Sequence, residues 1–163
     1  MKIDLFGTEH LEPRDVARKA ITMSSSLPFY KIETYFTGVT FIDENNNRVN
    51  LNNSYGVYAI YKDKICLYVG ETFSSIYYRI YRFQKELKGL SRDDENHPAA
   101  SKARQDGLKD LDGCLVKFIP HHMFMKKVDE IDPDYRLVYG HHPIDEYVAP
   151  LLKAKYNTRK AHV

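Results

Sequence analysis

Residues 54 to 71 read SYGVYAIYKDKICLYVGE, with Gly56-Val57-Tyr58 near one end and Tyr68-Val69-Gly70 near the other. Aromatic and β-branched residues on both sides of the polar centre Lys62-Asp63-Lys64 predict a hairpin, with strands at 55–61 and 65–69. Strand side chains alternate between faces, so the register decides whether Tyr58 and Tyr68 meet. A loop centred on Asp63 pairs 58 with 68 and 56 with 70, which puts both tyrosines on one face with a glycine beyond each. A loop centred between Asp63 and Lys64 sends them to opposite faces. The glycines leave room for a bulky ligand or another backbone, because no Cβ intrudes.

The next element is a helix from about Ser75 to Lys88, stopped by Gly89. Ile76, Ile80, Phe83 and Leu87 form one apolar stripe that must pack on the sheet. Arg79 lies roughly 70° from the centre of that stripe and Arg82 roughly 130° away, at 100° per residue. Arg79 is therefore the arginine that can skirt the sheet edge toward the tyrosines, and Arg82 should look outward.

Toward the N-terminus, residues 12–24 predict a helix opening at Pro13, with Val16, Ala20 and Met23 at helical spacing. Residues 29–51 predict two strands around Asn45-Asn46-Asn47. Toward the C-terminus come a charged loop at 91–98, a helix near 98–109, a strand over CLVKFIP (114–120) and a last helix opening near Pro143. In that strand Cys114, Val116 and Phe118 share one side and Leu115, Lys117 and Ile119 the other. The segment 121–140 gives no clear pattern. The expected fold is α/β (α+β), a small, mostly antiparallel three-stranded sheet flanked by helices. Residues 1–53 form a helix-plus-hairpin extension and 54–163 the core, in one compact domain.

The chain has 163 residues, 43% hydrophobic and 28% charged, the balance of one soluble globular domain. No apolar run approaches the ~20 residues of a membrane span, and the charged start broken by Pro13 is not a secretory signal. Cys66 and Cys114 read as buried free thiols, which favours a reducing cytoplasm. The net charge of +2 excludes a global basic field, although Lys153, Lys155, Arg159 and Lys160 make the tail locally basic.

Two tyrosines, an arginine and bare glycines around one concavity suit a phosphate-bearing ligand. A guanidinium matches phosphate oxygens and offsets the charge that builds on phosphorus during displacement. A tyrosine hydroxyl, with a pKa of ~10, takes a proton from water only if that pKa is effectively lowered. Such a site needs a metal, and the metal needs a carboxylate.

Gly56-Val57-Tyr58, Tyr68-Val69-Gly70 and the spaced Arg79 resemble the GIY-YIG nuclease family, over residues 55 to 157. The family's pattern also has a metal-binding glutamate on a later helix and an asparagine beyond it, and PIDEYVAPLLKAKYN supplies Glu146 and Asn157. The long insertion between Arg79 and Glu146 resembles the small type II restriction-endonuclease members. The resemblance implies a divalent-metal-dependent endonuclease on double-stranded DNA, with one Mg²⁺ or Mn²⁺ per active site held by Glu146. In the implied roles Tyr58 is the general base or positions the water, Tyr68 holds the scissile phosphate or assists the leaving side, Arg79 stabilises the transition state and Asn157 supports. Some members carry lysine directly after the second glycine, where this chain has Glu71. Either Glu71 sits outside the reaction centre, or another cation such as Lys64 or Arg82 does that work.

Arg82, Ser101, Lys102, Arg104 and Lys155 are the expected DNA-backbone contacts, with Ser101, Lys102 and Arg104 placed near a helix start. Glu130 is the reserve metal ligand, and Arg79 has an alternative partner in Glu86. His121-His122 and His141-His142 read as ordinary histidines or phosphate contacts, and Asp132 and Asp134 lack the glycine and glutamate of a calcium loop. Double-strand cuts from one site per chain call for a homodimer or separate nicks. Two other functions fit: a noncatalytic DNA-binding module of the same fold, and a phage or repair enzyme incising modified or branched DNA.

Overall fold

In the computed structural model, which describes residues 2–3, 9–90, 98–139 and 143–157, the central hairpin consists of β6 (Gly56–Lys62) and β7 (Ile65–Thr72). Asp63 and Lys64 form its two-residue turn, with φ of 51° and 66°. Positive φ at both positions matches the strand twist of a tight hairpin. Lys62 pairs with Ile65 and Tyr61 with Cys66, so the turn is centred between Asp63 and Lys64. That register alone would part the two tyrosines. The pairing then shifts between Ile60 and Tyr61: Ile60 lies opposite Tyr68, and Leu67 is the extra residue of a bulge. Past the bulge Tyr58 faces Gly70 and Gly56 faces Thr72, a pairing that neither of the two registers open from the sequence gives. Both tyrosines nevertheless project from one face, because the bulge reverses the alternation the turn would impose.

The two glycines have separate causes. A Cβ on Gly56 would lie 2.0 Å from the Ile119 carbonyl oxygen, so the close approach there is that of a neighbouring strand's backbone. A Cβ on Gly70 would meet Tyr58 Cζ and Oη at 2.5 Å, so Gly70 is the bed on which the Tyr58 ring lies.

The sheet is larger than expected. Strands β3 (Tyr30–Tyr35), β4 (Gly38–Ile42), β5 (Arg48–Val49) and β8 (Leu115–Pro120) join the hairpin in a six-stranded antiparallel sheet of order β5-β4-β3-β8-β6-β7, not a three-stranded one. Residues 29–51 supply three strands where two were expected. Tyr35 pairs with Gly38 around a tight turn at Phe36-Thr37, and Asn45-Asn46-Asn47 turns β4 into the short β5. The segment 1–53 thus builds half of the sheet through the β3–β8 pairing. A separate two-stranded ribbon joins β1 (Lys2–Ile3) and β2 (Glu9–His10).

Six helices among the described residues cover the two faces. On the tyrosine face lie α2 (Ile76–Leu87) and α3 (Pro98–Gln105), whose Ile76, Ile80, Phe83, Leu87, Ala99, Ala100 and Ala103 pack with Tyr58, Ile60 and Tyr68. Ser75 caps α2 by accepting a hydrogen bond from the Tyr78 N–H, and the expected stripe is buried. The other face holds α1 (Pro13–Ser24), α4 (His121–Ile131), α5 (Tyr135–Tyr139) and α6 (Asp145–Leu151), packed on Val57, Ala59, Val69 and Ile119. Helix α1 opens at Pro13 as expected, with a capping box between Glu12 and Asp15. The unparsed 121–140 contains α4 and α5; His121, Phe124 and Val128 are the buried positions of α4. Among the described residues no helix is long and apolar enough to cross a membrane.

Candidate functional site

The Tyr58 and Tyr68 rings are buried, with centroids 6.2 Å apart, and Tyr68 also packs 5.4 Å from Phe83 of α2. Burial, then the nearby Tyr68, push the Tyr58 hydroxyl well above the usual tyrosine pKa. The Arg79 guanidinium acts in the other direction, and the Asp145 carboxylate raises it further. Arg79 and Asp145 are thus both close enough for their charges to be felt at Tyr58. Arg79 is exposed on α2, one turn from the Ser75 cap whose carbonyl accepts its N–H at 3.3 Å. Glu86, the alternative partner weighed for Arg79, pairs instead with Arg82 at 3.6 Å across one turn.

Glu146 is half-buried in the first turn of α6, directly after Asp145. Pro150 lies inside that helix, so the Glu146 carbonyl has no amide of residue 150 to accept. The reserve ligand Glu130 is on α4, exposed and 3.9 Å from Lys127. Another acidic group, His10 with Asp132 and Asp134, has ligand atoms within 4.8 Å of one another. There Asp132 already accepts from the Leu11 N–H at 2.9 Å and the Asp134 N–H at 3.2 Å, so it ties β2 to the start of α5.

Asn157 makes a two-bond clamp on the edge strand. Its Oδ1 accepts from the Val69 N–H at 2.9 Å and its Nδ2 donates to the Val69 carbonyl at 2.8 Å. The Lys155 and Tyr156 amides donate to the Cys66 and Leu67 carbonyls at 3.0 and 2.8 Å. The segment 155–157 therefore occupies the open edge of β7 beside Tyr68 and Gly70.

The expected DNA contacts do not gather at one place. Lys102 and Arg104 stand in the last turn of α3, where cations suit the helix dipole, while Ser101 is its fourth residue, so only Ser101 lies near the helix start. The Arg104 guanidinium lies over Gly89, and Lys155 pairs with Asp106 at 3.0 Å. Arg82 is exposed, as expected of the outward arginine. Lys64 sits in the hairpin turn, six residues and about 20 Å of strand from Gly70, too far to replace a lysine there. Glu71 turns to the opposite face, where its Oε1 accepts from the Ile144 N–H at 3.0 Å and its Oε2 is 3.7 Å from His121 Nε2. His141, His142, Arg159, Lys160 and the charged loop 91–97 lie outside the described residues.

Glu146, not its neighbour Asp145, was the residue chosen from the sequence. The two adjacent carboxylates differ in reach only through their rotation about a seven-residue helix, which spacing does not fix. Comparisons with protein-family models, with curated proteins and with solved structures found no match.

Proposed function

We propose that the chain is a divalent-metal-dependent endonuclease on double-stranded DNA, with a centre of the GIY-YIG kind built on Tyr58, Tyr68, Arg79 and the start of α6. The observation that carries this reading is the Tyr58 ring laid across Gly70, with Tyr68 6.2 Å away and the charge of Arg79 felt at Tyr58. The acidic start of α6 suits a hard cation, since Asp145 and Glu146 offer carboxylate oxygens and water and phosphate can supply the rest. When bound, such a cation supplies positive charge to the phosphate and to the leaving 3′ oxygen. Arg79 holds the phosphate and offsets its developing charge. Tyr58, whose hydroxyl is held protonated by burial, is placed to position the attacking water by hydrogen bonding. Tyr68 backs the phosphate from the same face, and Asn157 holds the β7 edge that carries Tyr68.

The test is cleavage of unmethylated plasmid by purified protein with Mg²⁺ and with chelator. Discrete Mg²⁺-dependent fragments, lost in folded Tyr58→Phe and Glu146→Ala proteins, are expected. A drop of about 100-fold or more in each variant fits a centre of this kind. Full activity of Glu146→Ala would move the metal to Asp145. The burial of Tyr58 favours one second reading, a noncatalytic DNA-binding module, and its signature is duplex binding with no cleavage at any metal concentration.

A further inference from the structure

The face opposite the tyrosines carries a cavity of about 300 Å³, lined by Glu71, Tyr55, Phe73, His121 and Tyr135 among others. Its walls are aromatic: Phe73 stacks on His121 at 4.3 Å, and the Tyr55 and Phe124 rings lie within 5.9 and 5.5 Å of His121. Phe73 is 60% exposed and Tyr55 43%, so large rings stand open to solvent there. Some polar atoms inside lack hydrogen bonds. His121 is only 9% exposed, yet neither ring nitrogen has a hydrogen bond, and the buried Tyr135 hydroxyl has none either. Burying polar groups without a hydrogen bond is unfavourable, so a cavity with three such atoms has the character of a binding site.

We propose that this cavity binds an unpaired nucleobase bearing an exocyclic amino group, adenine or cytosine. Glu71 lines the cavity; its Oε1 is engaged by the Ile144 N–H, which leaves Oε2, 3.7 Å from His121 Nε2, as the acceptor for the amino group. The Tyr135 hydroxyl is a donor, because burial, then Tyr139 and Glu71, hold its proton on. A carboxylate acceptor and a hydroxyl donor in one cavity match the adjacent amino donor and ring-nitrogen acceptor of adenine and cytosine; they mismatch thymine, which has no amino group, and guanine, whose amino group sits beside the N1–H donor. Open aromatic rings supply the stacking that holds an extruded or single-stranded base. The location suits a nucleic-acid enzyme: Glu71 follows Gly70 on β7, and Ile144 precedes Asp145. The cavity and the tyrosine pair thus share one strand and one helix start. The link to DNA rests on the proposed nuclease reading, whereas recognition of the base itself does not.

The probe is each of the four deoxynucleosides, titrated against the full chain by ligand-observed NMR, alongside a short single strand carrying 2-aminopurine. Saturable binding of deoxyadenosine or deoxycytidine, about tenfold tighter than thymidine, is expected. Phe73→Ala, at an exposed position, should weaken it about tenfold, and Glu71→Gln should abolish the preference over thymidine. A fluorescence change of the single strand, lost in Phe73→Ala, would assign the base to a nucleic acid; nucleoside binding without it would assign the cavity to free nucleosides. Absence of saturable binding, or binding unchanged in both variants, overturns the proposal. Nucleoside binding in a protein that cleaves no plasmid would retain the base site and discard the nuclease.

Discussion

Gly56 and Gly70 look equivalent in sequence but tolerate change differently. At Gly56 an added Cβ meets main chain, the Ile119 carbonyl at 2.0 Å, at a φ of 155° that strains an L residue. Neither side can give way without breaking the β6–β8 pairing. At Gly70 the added Cβ meets the far end of the Tyr58 side chain, which can swing aside. Gly70→Ala is therefore expected to cost about 1–3 kcal/mol, as overpacking does. Gly56→Ala should exceed that range, with both read from urea unfolding midpoints. Because Gly70→Ala displaces the Tyr58 ring, the proposed plasmid cleavage should fall while the fold persists. Equal unfolding costs for the two alanines would mean that the Tyr58 ring is as immovable as the β8 backbone.

Among the elements, α1, α2 and the 114–120 strand were readable because each carries a punctuated apolar pattern: Pro13 before a helical stripe, Ser75 before Ile76, and alternation through Val116 and Ile119. The hairpin was readable as an element but not in register, because a bulge at Leu67 leaves no mark in a run of apolar residues. The β3–β4 turn was missed because Phe36-Thr37 resembles strand sequence, although Phe36 is 90% exposed. Helix α4 shows its spacing only once its first turn is known to begin at His121. Asn157 was expected to support the site, but spacing could not reveal that it mimics a strand neighbour to Val69. Asn157→Ala removes both of those hydrogen bonds and should destabilise by about 1–3 kcal/mol. Hydrogen exchange at the Val69 amide should quicken selectively; unchanged protection there would show that the Lys155 and Tyr156 pairings hold the edge alone.

At the scale of the whole molecule, the fold buries groups that ionise only in alkali. Cys66 and Cys114 are both pushed by burial from 9.0 up to about 11, and burial also raises Tyr58 and Tyr135. Between those values the native chain holds protons that the unfolded chain has released, so stability must fall as pH rises. The contribution is complete below about pH 9 and is lost through about pH 11. The melting temperature should decline across that window, and less steeply in Cys114→Ala; a flat profile would place the thiols in contact with water. The six-stranded sheet was not legible as a whole, since the β3–β8 pairing joins segments whose sequences say nothing of each other. The clamp on β7 has a consequence for biosynthesis. Val69 leaves the ribosome 88 residues before Asn157, so during translation the strand bearing the second tyrosine waits with a bare edge, open to any passing strand. Synthesis is thus the interval in which that edge lacks its cover.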